Sequence, residues 1–269
     1  MSVSVELGHV VERLRASGCV FAEDEAALIA ETARDEAELT AMVDERVAGQ
    51  PLEYVVGWAS FCGLRIAVDP GVFIPRRRTE FLVSEALKVT VAGAVVVDLG
   101  CGSGALGAAV AAEREVSLYA ADVEAAAVAC ARRNLAPWGG IVYQGDWFAA
   151  LPDRLRGRVD VLLANVPYVP TDEIRLLPAE ARLYEPHVTL DGGPDGLATL
   201  RRVVARATEW LAPGGHLFTE MSEHQAPLAQ ALMVEHGLSA ELVADDELGA
   251  TVVHGTTPGA GRAGGTPGG

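Results

Sequence analysis

Ala94-Val95-Val96-Val97-Asp98-Leu99-Gly100-Cys101-Gly102-Ser103-Gly104-Ala105-Leu106-Gly107-Ala108-Ala109-Val110-Ala111-Ala112 is an apolar run broken by spaced glycines and resumed as an Ala-rich segment. Its first part reads as a buried strand. Its last part is helix-prone. Strand, glycine loop and helix form the first turn of a nucleotide-type α/β domain. The glycines let the backbone turn tightly and let a ligand approach the chain. A second strand, Val116-Ser117-Leu118-Tyr119-Ala120-Ala121, runs up to Asp122. A carboxylate there can accept hydrogen bonds from both hydroxyls of a ribose.

Two cofactors fit this layout. Gly100, Gly102 and Ala105 satisfy G-x-G-x-x-A, and an acid about twenty residues on completes the dinucleotide pattern. Asp98, Gly100, Gly102 and Gly104 match D-x-G-x-G-x-G, the loop of S-adenosylmethionine binders, at every fixed position, which favours the methyl donor. A later segment separates them. Val159-Asp160-Val161-Leu162-Leu163-Ala164 reads as a buried strand and runs into Asn165-Val166-Pro167-Tyr168. The Asn165 amide oxygen and the Val166 carbonyl can both accept hydrogen bonds from one planar NH2 group. Tyr168 can lie against the flat group that carries it, and Pro167 stiffens the backbone. A plain turn is the simpler reading, since Asn and Pro favour turns. Combined with the glycine loop, the planar-amine site favours the methyl donor. A dehydrogenase needs an acid-base residue, and no His or Lys occupies a comparable loop.

For the donor, Asp98 and residues 100–104 are expected to line the methionine portion and Asp122 to hold the ribose. Asp146, in Gly145-Asp146-Trp147-Phe148, is expected to hold the adenine amine, with Trp147 or Phe148 against the ring. A helix N-cap is the other role open to Asp146. Glu185 is either a support for the Asn165 loop or a turn acid. Glu220, Glu223 and His224 match no standard ligand spacing and read as a surface acid cluster, so no metal is expected.

The net charge is -16, from 21 basic and 37 acidic residues. That argues against tight nucleic-acid binding, which rests on cationic contacts to phosphate. Arg76-Arg77-Arg78 is a local exception. It is either a solvated helix entrance or a contact to an acidic partner or the donor's carboxylate. The four cysteines are far apart and read as free thiols. Met1-Ser2-Val3-Ser4-Val5-Glu6 has no basic n-region, and no apolar stretch spans a bilayer. A cytoplasmic monomer is the expectation.

Residues 1–50 read as small helices, the first with Leu7, Val10, Val11 and Leu14 on one face. Residues 51–78 read as a β-hairpin connector about Gly63. Residues 79–254 form the main domain, opening with a helix over 79–89. Strands are expected near 94–99, 116–121, 140–144, 159–164 and 215–220, with helices near 104–114, 124–134 and 196–211. Residues 238–243 and 250–254 are candidates for a closing antiparallel pair. This alternation implies a doubly wound α/β fold. Residues 255–269, rich in Gly, Pro and Thr, are expected to be disordered.

Pro51-Leu52-Glu53-Tyr54-Val55-Val56-Gly57, Val68-Asp69-Pro70-Gly71-Val72-Phe73-Ile74-Pro75-Arg76 and Thr79-Glu80 resemble the connector of the protein-(glutamine-N5) methyltransferases. The glycine loop, the Asn165 motif, Tyr184-Glu185-Pro186 and Asp191-Gly192-Gly193-Pro194-Asp195-Gly196-Leu197 follow in that family's order. The resemblance implies a mostly parallel, seven-stranded Rossmann-like methyltransferase sheet behind a small N-terminal helical domain that contacts the protein substrate. It implies S-adenosylmethionine-dependent methylation of the glutamine in the Gly-Gly-Gln loop of a peptide-chain release factor. Close relatives methylate a ribosomal protein. Val166 stands where the family has a first Pro, and Arg77 where it commonly has Pro. An adenine-N6 methyltransferase on nucleic acid would use the same planar-amine site. A donor-binding module without catalysis is the remaining alternative.

Overall fold

The computed structural model describes residues 3–259, with side chains from residue 7 onward. Three helices come first: α1 (Val3–Ala16), α2 (Ala22–Thr32) and α3 (Glu36–Val47). None can bury much apolar surface alone. Val10 and Leu14, Ala26 and Ile29, and Met42 and Val43 therefore share one cluster. Asp35 caps α3 by accepting from the Glu38 amide. Arg46 pairs with Glu25 of α2 at 2.6 Å, and the same guanidinium reaches Glu180, far along the chain, at 2.6 Å.

The connector is not β throughout. Pro51 precedes a single helical turn, α4 (Leu52–Val56), which Gly57 stops at φ +79°. Strands β1 (Trp58–Phe61) and β2 (Leu64–Ala67) then form the expected hairpin. Cys62 and Gly63 both take positive φ, at 48° and 72°, as a two-residue type I′ turn demands. Asn134 sews this hairpin to the main domain. Its Oδ1 accepts from the Ala67 amide, and its Nδ2 donates to the carbonyls of Ala67 and Ser103, all within 2.9 Å.

The main domain continues through α5 (Glu80–Val89), β3 (Val95–Leu99), α6 (Ala105–Glu113), β4 (Ser117–Asp122), α7 (Ala125–Leu135), β5 (Ile141–Gln144) and β6 (Val159–Leu163). Then come α8 (Ala179–Tyr184), α9 (Ala198–Trp210), β7 (Leu211–Met221), α10 (Ala226–Glu235), β8 (Ser239–Asp245) and β9 (Ala250–Thr256). The sheet has seven strands in the order β5-β4-β3-β6-β7-β9-β8. Only β9 runs against the rest. Two apolar layers sandwich it. Trp210, Leu200, Val204 and Ala207 of α9 pack on one face. Leu82, Ala86, Val110 and Leu135 from α5, α6 and α7 pack on the other.

Three expectations are corrected. Strand β7 starts at Leu211 rather than 215, through Pro213-Gly214-Gly215, with a register irregularity opposite Val159/Val161. Helix α10 was not expected. Its segment Ala226-Pro227-Leu228-Ala229-Gln230-Ala231-Leu232-Met233 is apolar nearly all round, so it shows no one-sided stripe. Residues 255–257 are ordered rather than disordered. Gly255 and Thr256 pair with both β7 and β8, and the buried Thr257 hydroxyl donates to the Ala212 carbonyl at 2.6 Å. The rest of the expected disordered tail, residues 260–269, lies outside the described residues. Among the described residues no helix is long and apolar enough to cross a membrane.

Asn134→Ala removes three hydrogen bonds at one joint. It is expected to cost about 2 kcal/mol in urea unfolding, and Asn134→Asp, which sets a charge against two carbonyls, at least as much.

Candidate active site

Strands β3 and β6 are parallel neighbours, with Asp98 opposite Leu163. Strand order reverses here, since β4 and β5 extend one way and β6 and β7 the other. Open α/β sheets form a crevice at such a point. A cleft of about 1000 Å³ opens there, and Gly100, Gly102, Asp122, Asn165, Val166 and Glu220 are among its lining residues.

One half of the cleft is the glycine loop. Gly100, Gly102 and Gly104 all have positive φ, at 70°, 53° and 78°. A Cβ on Gly100 would stand 2.7 Å from Trp147 Cζ3, so the indole lies directly on that glycine. A Cβ on Gly104 would press Ala131 and Leu135 of α7 at 3.1–3.3 Å. Gly102 differs: its nearest neighbour on that side is Phe73 Cβ at 3.9 Å, which leaves room at the cleft wall. Asp122 braces the loop, accepting from the Gly102 amide at 2.8 Å and the Glu124 amide at 2.9 Å. Asp98 is buried and accepts from the Gly107 amide at 3.0 Å. Burial pushes its carboxyl up to about 7, with Asp122 adding to the shift and the Gly107 bond opposing it.

Asp146 and Trp147 follow β5 and also line the cleft. The Asp146 side chain makes no N-cap bond and pairs with Arg202 at 2.6 Å. Trp147 sits at φ +47°, a left-handed conformation that costs a bulky residue of order 1–3 kcal/mol.

The other half of the cleft is the loop after β6. The Asn165 Nδ2 points to Thr79 Oγ1 at 3.5 Å. Thr79 donates to Glu220 Oε2 at 2.6 Å. Arg78 Nε and the Tyr168 hydroxyl both donate to Glu220 Oε1, at 2.9 and 2.7 Å. Arg78 also donates to the Tyr168 oxygen at 2.7 Å. Burial first, and then the Glu220 charge, push the Tyr168 phenol above its ordinary value. Among the described residues, no hydrogen bond ends on Asn165 Oδ1 or on the Val166 carbonyl. Pro167 restricts the backbone between these groups and Tyr168. Gly196 supports the loop from behind. A Cβ there would lie 2.3 Å from the Tyr168 carbonyl and 2.1 Å from Gln225 Nε2, which donates to that carbonyl.

Glu220 is therefore no surface acid. It is 2 % exposed and takes three donors. The basic tripeptide reaches a buried carboxylate from two of its positions. Arg78 serves Glu220, and Arg76 pairs with the buried Glu185 at 2.6 Å while covering the Phe73 ring. Burial raises the Glu185 carboxyl despite that partner. Thr79 and Phe73 were not singled out in the sequence as site residues, although both stand in the connector motif. Among the described residues no group of three or more His, Cys, Asp or Glu side chains could hold a metal.

Comparison with known proteins defines the class. The methyltransferase small domain model matches residues 63–181. A methyltransferase from Pyrococcus furiosus superposes with a TM-score of 0.54 at 17% identity, covering 73% of this chain and 90% of that one. This fold is a Rossmann-like methyltransferase fold. The chain is 37% identical to the release factor glutamine methyltransferase of Geobacter sulfurreducens, over 77% of this chain and 73% of the relative. It is 38% identical to that of Cereibacter sphaeroides, over 80% and 75%. The chain belongs to the release factor glutamine methyltransferase family.

Two outcomes follow from the glycine-loop geometry. Gly100→Ala forces both the loop backbone and Trp147 to move, so donor affinity measured by calorimetry is expected to fall at least about tenfold, since a shift of about 1.4 kcal/mol suffices. Asp98 keeps its proton in the fold at pH values where the unfolded chain has lost it. Its contribution to stability must then decline as pH rises from the ordinary carboxylate range to about 7. Relative to Asp98→Asn, wild-type stability is expected to fall across that window, by up to about 1.4 kcal/mol per pH unit.

Proposed function

We propose that this chain transfers a methyl group from S-adenosylmethionine to the side-chain amide nitrogen of a glutamine in a protein, the Gly-Gly-Gln loop of a peptide-chain release factor. The observation that carries the reading is the pair of open acceptors, Asn165 Oδ1 and the Val166 carbonyl, beside the glycine loop. A primary amide has two N–H groups in one plane. Two fixed oxygens at the end of a buried strand match them.

The cleft suits the donor. Gly102 leaves open space where a side chain would intrude, and Asp122 stands at the end of β4 with lone pairs to spare for ribose hydroxyls. Asp98, Gly100, Gly102 and Gly104 would hold its methionine portion. Asp146 and Trp147 would hold its adenine, which requires Asp146 to share or release Arg202. When bound, the donor supplies an electrophilic methyl on a sulfonium.

An amide nitrogen is a weak nucleophile because its lone pair is delocalised into the carbonyl. Asn165 Oδ1 and the Val166 carbonyl would take both N–H hydrogens and fix the nitrogen's direction. Their partial negative charges favour the positive charge that grows on nitrogen. Fixed dipoles of this kind contribute on the order of 3 kcal/mol, about a hundredfold in rate. Alignment contributes further through proximity. Pro167 and Tyr168 would wall the site against water. No strong base is required beforehand, because the nitrogen's proton becomes acidic as the C–N bond forms. Val166 in place of Pro leaves the carbonyl acceptor intact. The helices of residues 1–50, tied to α8 by Arg46 and Glu180, would meet the protein substrate beside the cleft.

Asn165→Ala is expected to lower methyl transfer into a purified release factor at least about a hundredfold while leaving donor affinity within a few-fold. The check is labelled-methyl incorporation with mass mapping of the modified residue. Label on a residue other than a glutamine would contradict the reading.

A further inference from the structure

We infer that Thr79 and Glu220 are positioning residues that decide which end of the Asn165 amide faces the acceptor. This inference rests on the glutamine-transfer reading above. The two ends of an asparagine amide are nearly equal in size, so shape alone does not orient it. Among the described residues, Thr79 is the only side chain bonded to the Asn165 amide. The sense of that contact is set one step further back.

Glu220 is the source of the polarity. An ionised carboxylate can only accept, and all three of its partners are donors: the Thr79 hydroxyl, Arg78 Nε and the Tyr168 hydroxyl. Thr79 has one hydroxyl hydrogen, and Glu220 takes it at 2.6 Å. The Thr79 oxygen can then only accept from Asn165. The amide therefore turns its NH2 to Thr79 and its oxygen to the cleft. Reversed, it would set N–H groups against the N–H groups of the acceptor. Thr79 and Glu220 are 1 % and 2 % exposed, so water does not compete for either.

The relay is distinguishable from plain packing support because it can be inverted. In Glu220→Gln the new amide must keep its oxygen toward Arg78, which cannot accept. Its NH2 then faces Thr79, whose hydroxyl is released to donate to Asn165. The polarity runs backwards through a nearly isosteric side chain. Thr79→Val removes the relay and leaves Asn165 able to adopt either sense. Thr79→Ser keeps it.

The experiment measures kcat, KM for the release factor and donor affinity across these variants. Expected are a kcat loss of a few-fold in Thr79→Val, about a hundredfold in Glu220→Gln, and near wild-type values in Thr79→Ser. The double variant Thr79→Val/Glu220→Gln is expected to recover to the level of Thr79→Val alone, a strong non-additivity. KM and donor affinity should stay within a few-fold throughout. Additive losses, or losses shared with donor affinity, would overturn the relay. Wild-type protein that transfers methyl, with variants that match it, would also overturn the relay while leaving the glutamine reading standing. Absence of transfer by the wild type would instead count against that reading. A neutron map of the wild type then still decides the relay: Asn165 deuterons facing Thr79 support it, and deuterons facing the cleft overturn it.

Discussion

The parallel pairing of β3 with β6 is the contact on which the site depends. Each strand is buried and apolar, and each ends in a loop at the same edge of the sheet. One loop carries Asp98 and the glycines, the other Asn165 and Val166. Because Asp98 lies opposite Leu163, the two loops emerge side by side. A crossover at any other place in the sheet order would put them on different crevices. The hydrophobic burial that builds the sheet thus also sets the glycine loop next to the Asn165 loop.

Two buried carboxylates hold the connector against this edge. Glu185 and Glu220 take Arg76 and Arg78 from one short segment. A buried carboxylate left without its partner costs about 3–5 kcal/mol, so the segment cannot drift from the cleft without penalty. This explains a basic tripeptide on a chain of net charge -16. Two of its three charges are paired with buried carboxylates. Phe73 and Thr79, at either end of that segment, are delivered to the cleft as a consequence.

Much of the frame was legible in the residues. The glycine loop, the strand before Asn165 and the alternation of strand and helix are local patterns, and local patterns survive folding. The hairpin about Gly63 was legible for the same reason, but not its type I′ turn, which takes in Cys62 as well. What was not legible is long-range. Glu220 looked like one acid among Glu223 and His224, because nothing nearby in sequence reveals that Thr79 and Arg78 will meet it. Asp146 stood at a plausible N-cap, yet its partner is Arg202, fifty-six positions away. Helix α10 escaped because it is apolar on both sides and shows no stripe. Gly196 stood in a quoted motif, but its purpose depends on the Tyr168 carbonyl that passes within van der Waals range.

The central claim is that Asn165 Oδ1 and the Val166 carbonyl together receive a primary amide. A crystal structure with demethylated donor and a Gly-Gly-Gln peptide tests it most directly. The account expects the glutamine nitrogen within about 3 Å of both oxygens. A glutamine bound elsewhere in the cleft, or either oxygen turned away to a protein partner, would contradict it.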